Sequence, residues 1–400
     1  MDLVARPFRG LFIGLFGTFA LFGTSMTIVG AALPRILGDF GWSYGAAGAV
    51  IAASAAAYFL SSFLSGRILA RIGSKATVVA GLASCVLGLA FFAAAPGFLL
   101  NFFLNALIGA GQGLIEPTVN WSALRMDQKS TSRPMNLMHG AFAIGAVAGP
   151  ILLGLIMATG LSWTLLFRAI SILFAVLGVV LAAMPFAKLG SVVQERAAGS
   201  AKTRPGKSPA YWLGFICLLL YVGAELGISN WIAEYFVRIF AAGPAFASLT
   251  VSLFWVGLLA GRFGVPALYR GSRQEAVLVA GSILLVASTI GLCALGFLAA
   301  SGGRLWAPAA LTFLAGLGCS IIYPTVISLV GISCKDAQAE AISFAVAGGG
   351  LGLFAFPFMM SWISQACGIK IGFASYAIIA ALTAAACMAL AKVFARSKAA

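Results

Sequence analysis

Apolar stretches long enough to cross a bilayer recur along the whole chain, with only short polar interruptions between them. A spanning helix needs about 20 predominantly apolar residues. The pattern predicts twelve spans, near 11–33, 45–66, 76–95, 98–121, 135–158, 164–186, 211–233, 245–266, 276–299, 305–330, 339–362 and 371–395. The longest polar break, 187–210, is rich in Lys, Arg, Ser, Gly and Pro and reads as a flexible linker. It separates residues 1–186 from 211–400, each with six predicted spans. The predicted fold class is therefore an all-α membrane protein of twelve transmembrane helices in two pseudo-symmetric six-helix bundles.

Composition agrees: 62% hydrophobic and 9% charged residues over 400 positions exclude an ordinary soluble domain. Arg6 and Arg9 precede the first apolar run as in a signal peptide, but the run is too long for one and is expected to stay as an uncleaved helix. A net charge of +15 raises the question of a nucleic-acid partner. The basic residues instead sort by loop. With both termini placed in the cytoplasm, all but Arg35, Arg168, Arg238, Arg304 and Lys370 fall on inner segments, including Arg125, Arg262 and Arg273. That asymmetry is the positive-inside rule, so the expected partner is a lipid bilayer and not nucleic acid. The cell's inner (cytoplasmic) membrane is the expected location, and a monomer the expected state.

Charge inside the spans is rare, which makes each case informative. An acid at the centre of a membrane helix costs roughly 2.5–3.5 kcal/mol on insertion scales, so it is a functional-site hypothesis by default. Glu116 is such an acid, and Glu225 is a second. Around Glu116, Asn101, Asn105, Gln112 and Asn120 recur at four- and seven-residue steps and line one helical face. Polar groups do not face lipid cheaply, so the stripe is expected to face a cavity. Interhelical hydrogen bonding is the rival reading for Asn and Gln. Tyr221, Glu225 and Ser229 share a face at four-residue spacing. His139, the single histidine, falls near the start of the fifth span at a depth like that of Glu116, where a proton relay between the two is one reading and a structural role the other. Glu234 with Arg238 reads as an exposed ion pair, and Arg168 as an interfacial anchor. Among the aromatic residues, Tyr221, Trp255 and Tyr323 fall within spans and are candidate cavity residues, whereas Trp42, Trp163 and Trp306 read as boundary anchors.

The halves also echo one another. Gly66-Arg67 closes the second span and opens a basic loop ending at Lys75, and Gly261-Arg262 closes the eighth and opens one ending at Arg273. The stretch Gly66, Arg67, Ile68, Leu69, Ala70, Arg71, Ile72, Gly73, Ser74, Lys75 resembles the gating loop between helices 2 and 3 of major facilitator transporters, departing at Ala70 where that superfamily usually has an aspartate. Gly66, Arg67, Arg71, Gly73 and Lys75 are its candidate gating residues, and the resemblance implies the major facilitator fold. A narrower resemblance lies in Gly111, Gly113, Glu116 and Asn120, in Met135-Asn136-Leu137, and in Tyr221-Val222-Gly223-Ala224-Glu225 with Trp231 and Tyr235. These look like the fucose–galactose–glucose:proton symporter family. In that family the matching acid takes part in proton coupling and sugar binding, which implies the same for Glu116. The family's helix 1 acid, four residues before a Leu-Pro, is replaced here by Gly30.

No enzyme constellation is present in the sequence. There is no Walker loop, one histidine and seven scattered cysteines offer no metal-ligand spacing, and no cofactor is expected. Transport energy would then come from an ion gradient, with protons favoured by the acids and sodium as the alternative. The first reading is a proton-coupled importer of a neutral polyhydroxylated small molecule such as a monosaccharide, working by alternating access. Glu116, Glu225 and His139 would handle the proton, and Asn105, Gln112, Glu116, Asn120, Tyr221, Glu225, Trp255 and Tyr323 would bind the solute. The second reading is a proton-driven exporter of amphipathic drugs or lipids. A non-transporting sensor has no sequence feature in its favour.

Overall fold

The computed structural model describes residues 4, 6–126, 133–189, 208–268, 273–298, 305–334 and 338–399. Most of the predicted linker lies outside the described residues, as do Lys129, Arg196, Lys202, Arg204, Lys207, Arg270, Arg304 and Lys335. Regular structure among the described residues is helical throughout. Hydrocarbon offers no partner to a backbone amide or carbonyl, and a helix satisfies both within itself.

In chain order the helices are α1 (Arg9–Phe40), α2 (Tyr44–Phe91), α3 (Phe98–Met126), α4 (Arg133–Ala158), α5 (Thr164–Ala183), α6 (Pro209–Phe240), α7 (Pro244–Leu268), α8 (Gln274–Leu298), α9 (Trp306–Cys319), α10 (Ile322–Ser333), α11 (Gln338–Cys367) and α12 (Ile369–Ala399). Among the described residues, eleven segments are long and apolar enough to cross a membrane, α9 and α10 together making one of them. Large apolar side chains such as Ile13, Phe63, Val179 and Phe263 are more than half exposed on the outside of the protein. A water-soluble chain would bury them; in lipid they are the contact surface. The protein is a multi-pass membrane protein.

Two breaks have identifiable causes. Pro324 has no amide hydrogen and its ring opposes the carbonyl four residues back, that of Ser320. The helix accordingly stops at Cys319 and resumes at Ile322. The second break corrects the sequence reading, since the stretch taken as a loop, Gly66 to Lys75, is helical on both sides of one residue. Gly73 alone leaves helical geometry, at φ 80° and ψ 166°. The Thr77 hydroxyl donates to the Gly73 carbonyl at 2.7 Å, and the Lys75 ammonium to the Ala182 carbonyl in the last turn of α5, also at 2.7 Å. Arg67 and Arg71 remain exposed.

The backbone region occupied by Gly73 is accessible essentially to glycine alone and costs other residues on the order of 1–3 kcal/mol. Gly73→Ala is therefore expected to lower the melting temperature of the purified protein. Since a Cβ there would meet open space, an unchanged melting temperature would mean that the kink does not need this conformation.

The chain divides into two compact units, Met1–Trp42 with Ala49–Ser200, and Ser43–Gly48 with Ala201–Ala400. In the first, α1 packs along α4. A methyl group at Gly145 would sit 1.8 Å from the Ala20 carbonyl oxygen, and the Thr24 hydroxyl crosses to the Gly145 carbonyl at 3.1 Å. In the second, α6 packs along α11 by the same device, a methyl at Gly352 falling 1.9 Å from the Leu219 carbonyl oxygen. Small residues let membrane helices approach closely where no hydrophobic effect drives them together.

Candidate functional site

The polar face of α3 divides into two parts with different occupations. Asn101 closes the turn before its own helix: its Oδ1 accepts the Ala93 amide at 2.7 Å, and its Nδ2 donates to the carbonyls of Ala95 and Gly97, both at 2.8 Å. Asn105 Nδ2 donates to the Val50 carbonyl at 2.8 Å and Gln112 Nε2 to the Ser25 hydroxyl at 2.9 Å, and both side chains are buried. For these residues the interhelical hydrogen-bonding reading describes what is seen. The stripe is a tie at this end.

Glu116 and Asn120 differ from them. Both are half-buried where Asn105 and Gln112 are buried, while Asn120 Oδ1, like Asn105 Oδ1, has no hydrogen-bond partner among the described residues. The Glu116 carboxylate accepts a hydrogen bond from the Tyr58 hydroxyl of α2. Gly113 explains how the tyrosine reaches it: a Cβ there would lie 2.2 Å from Ser61 Oγ and 2.3 Å from the Tyr58 carbonyl oxygen, so α2 passes directly over this turn of α3. Pro117 follows Glu116 and leaves the Gly113 carbonyl without its i+4 amide. His139 lies on α4, half-buried, with its ring edge-on to Phe19 of α1 at 5.8 Å. The structure thus joins Glu116 to Tyr58, a residue the sequence reading passed over.

The second unit holds the other intramembrane acid. Glu225 is buried at the middle of α6, with Tyr221 and Ser229 one turn to either side. Ser229 Oγ accepts the Trp255 indole N–H at 2.8 Å, which pins α7 to α6. Tyr221 is fully buried, 6.5 Å from the Tyr323 ring of α10, and its hydroxyl has no hydrogen-bond partner among the described residues. Tyr323 is half-buried.

Arg262 lies near the end of the candidate span Pro244–Val265 of α7, which matches the predicted 245–266. The preceding Gly261 packs against Ser320 and Leu317 at the end of α9. One sequence expectation is corrected in this unit. Glu234, read as half of an exposed pair, is completely buried. Its Oε1 accepts Arg238 Nε at 2.7 Å and the Tyr44 hydroxyl, from the Ser43–Gly48 segment grouped with this unit, at 3.0 Å. Only the Arg238 side chain is exposed, at 53%. Arg168 in the first unit donates to the Leu89 carbonyl at 2.6 Å, a structural use of its head group.

Comparisons with known proteins place this arrangement. The description "Major Facilitator Superfamily" belongs to the family model that matches residues 15–301. Across 391 residues the chain is 24% identical to "Bypass of stop codon protein 6" of Saccharomyces cerevisiae, covering 88% of this chain and 76% of that one. Over 342 residues it is 25% identical to a "Glucose/galactose transporter" of Brucella abortus, covering 79% and 78%. The fold matches the crystal structure of a D-xylose-proton symporter with a TM-score of 0.75 over 96% of this chain and 97% of that one, at 14% identity. Helical breaks, glycine-mediated packing and acids within spans therefore sit on a known transporter scaffold, and the chain belongs to the Major Facilitator Superfamily.

Proposed function

We propose that this transporter couples proton entry to uptake of a neutral, polyhydroxylated solute such as a monosaccharide, by alternating access. The observation that carries the proposal is Glu116, an ionisable group within a span, half-buried and held by Tyr58, beside an Asn120 whose carbonyl oxygen is unused among the described residues. Such a group exchanges a proton with water from one side and presents acceptors to hydroxyls. Glu225 is the second polar contact, and His139 an auxiliary proton carrier. Of the solute-binding candidates, Glu116, Asn120 and Tyr323 are half-buried, whereas Asn105, Gln112 and Trp255 donate hydrogen bonds between helices. The names of the Brucella relative and the xylose symporter favour a sugar.

The topology belongs to the same reading. At 48 residues, α2 is about 72 Å long, more than twice the ~30 Å hydrocarbon core. We divide it at Gly73 into two spans, which gives twelve, in bundles 1–186 and 211–400 joined by a cytoplasmic linker at 187–210. Both termini are then cytoplasmic, with Arg67, Arg71 and Lys75 on the inner, gating side of the kink, in an inner membrane.

Radiolabelled D-galactose and D-glucose uptake into proteoliposomes with an imposed pH gradient, acid outside, tests the proposal. Accumulation above the external concentration that collapses with a protonophore is the expected result. Accumulation driven by sodium alone would replace the coupling ion. Absence of sugar uptake, with dye or lipid moved against its gradient by protons, would replace the proposal with the exporter.

A further inference from the structure

The first turn of α2 is set apart from the rest of its helix. Ser43–Gly48 groups with the second unit, whereas from Ala49 onward α2 belongs to the first. Within the second unit this turn is held from two sides. On α6, Glu234 Oε1 accepts the Tyr44 hydroxyl at 3.0 Å, and the Tyr44 ring lies edge-on to the buried Trp231 ring at 5.9 Å. On α11, Gln365 Oε1 accepts the Gly45 amide at 3.4 Å. Gly48 packs so closely there that an added methyl would fall 1.9 Å from Ser361 Oγ and 2.2 Å from Ser361 Cβ. Solute binding and proton coupling as proposed above use none of these contacts.

The helix is unbroken where it changes unit, since Gly73, far beyond Gly48, is the residue of α2 that leaves helical geometry. A membrane helix does not part at an arbitrary peptide, because the freed amide and carbonyl groups find no partner in hydrocarbon. When the two units move relative to one another, the first turn therefore leaves with the rest of α2, and its contacts to α6 and α11 break together. Glu234 suits a contact that is made and broken. It is completely buried, Oε1 accepts from both Tyr44 and Arg238, and Oε2 has no hydrogen-bond partner among the described residues. Water entering as the turn withdraws can bond Oε2, which offsets part of the loss of the Tyr44 bond. Arg238, on the same helix as Glu234, stays with the carboxylate throughout.

We infer that the first turn of α2 is a latch on α6 and α11: the Tyr44–Glu234 hydrogen bond and the Gly48–Ser361 packing hold this end of the protein closed, and their release opens it. This rests on alternating access in the proposed function, and on neither the solute nor the coupling ion. Hydrogen bonds to charged groups are strong enough that loss of the Tyr44 hydroxyl shifts the ratio of closed to open protein by about ten- to a hundredfold.

The test is the distance between spin labels at Gly38→Cys and Gly243→Cys, measured by pulsed dipolar spectroscopy on the full-length protein in lipid nanodiscs. Both positions are exposed, one in each unit, and a Cβ at either meets nothing within 4 Å. Cys367→Ser removes the exposed cysteine that would also take a label. With the latch intact, a short-distance and a long-distance population are expected. Tyr44→Phe, which keeps the ring on Trp231, should move their ratio toward the long distance by about ten- to a hundredfold. Gly48→Ala should move it the same way by wedging the turn off Ser361. Adding Ser361→Gly to Gly48→Ala should reverse that shift, a coupling that general destabilisation does not produce. If Gly48→Ala does not fold, Tyr44→Phe decides the matter, since it adds no atom. Two populations whose ratio the folded variants leave unmoved would overturn the latch and leave alternating access standing. One unchanging distance with the latch intact and in every variant would remove alternating access, and the latch with it.

Discussion

Glu116→Gln is expected to abolish gradient-driven accumulation of the solute while leaving exchange of internal for external solute in place. The substitution is nearly isosteric, and its amide oxygen still accepts from the Tyr58 hydroxyl that holds the native carboxylate. What it removes is the ability to gain and lose a proton. Exchange needs only the loaded carrier to reorient, whereas accumulation needs the proton to be bound on one side and released on the other. Loss of both activities would indicate structural damage, and retention of both would take Glu116 out of the coupling. Tyr58→Phe is expected to slow accumulation without eliminating it, because it removes the donor and leaves the acid. Flux assays in both modes on the same proteoliposome preparation read these outcomes apart.

The largest structural effect is expected at the crossing of α1 and α4. A single added methyl at Gly145 would fall 1.8 Å from the Ala20 carbonyl oxygen, and the other neighbours, the carbonyl carbon at 2.7 Å and the Thr24 amide nitrogen at 3.0 Å, are backbone as well. Nothing flexible can yield, so the helices must part. Overpacking of a well-packed interface costs typically about 1–3 kcal/mol, and more where backbone must move. Parting α1 from α4 would also break the Thr24 to Gly145 hydrogen bond. Gly140, on the same helix, is the control, since a Cβ there meets nothing within 4 Å. Gly140→Ala should be neutral or slightly stabilising, by about 0.5–1 kcal/mol, because glycine is a poor helix former. Size-exclusion profiles of detergent-solubilised variants should show Gly145→Ala with sharply reduced folded material and Gly140→Ala like wild type. Equal yields would mean that the α1–α4 contact is looser than described.

Much of the helical framework was legible in the sequence because hydrophobic runs of spanning length have one physical outcome in a bilayer. The spans near 135–158 and 164–186 correspond to α4 and α5, and the acid at Glu116 stood out for its cost. The misreadings share a cause, which is that local pattern does not report depth or partner. Polar residues from Gly66 to Lys75 have the composition of a loop, yet the backbone stays helical except at Gly73. Glu234 with Arg238 four residues on has the signature of a surface pair, but burial is set by the elements packed against α6. Tyr58 gave no signal in its own span. Its meeting with Glu116 depends on the absent side chain of Gly113, a relation between two helices that no periodicity within either can express. The stripe on α3 was legible as a face, but its division into buried interhelical ties and a half-buried end required the partners to be seen.

The most direct test of proton-coupled sugar uptake is the internal pH of proteoliposomes, followed with a trapped indicator, as D-galactose is added outside with no gradient imposed. The expected result is acidification of the interior that follows galactose entry in the wild type and is absent in Glu116→Gln. Galactose entry without any change in internal pH would contradict proton coupling through Glu116.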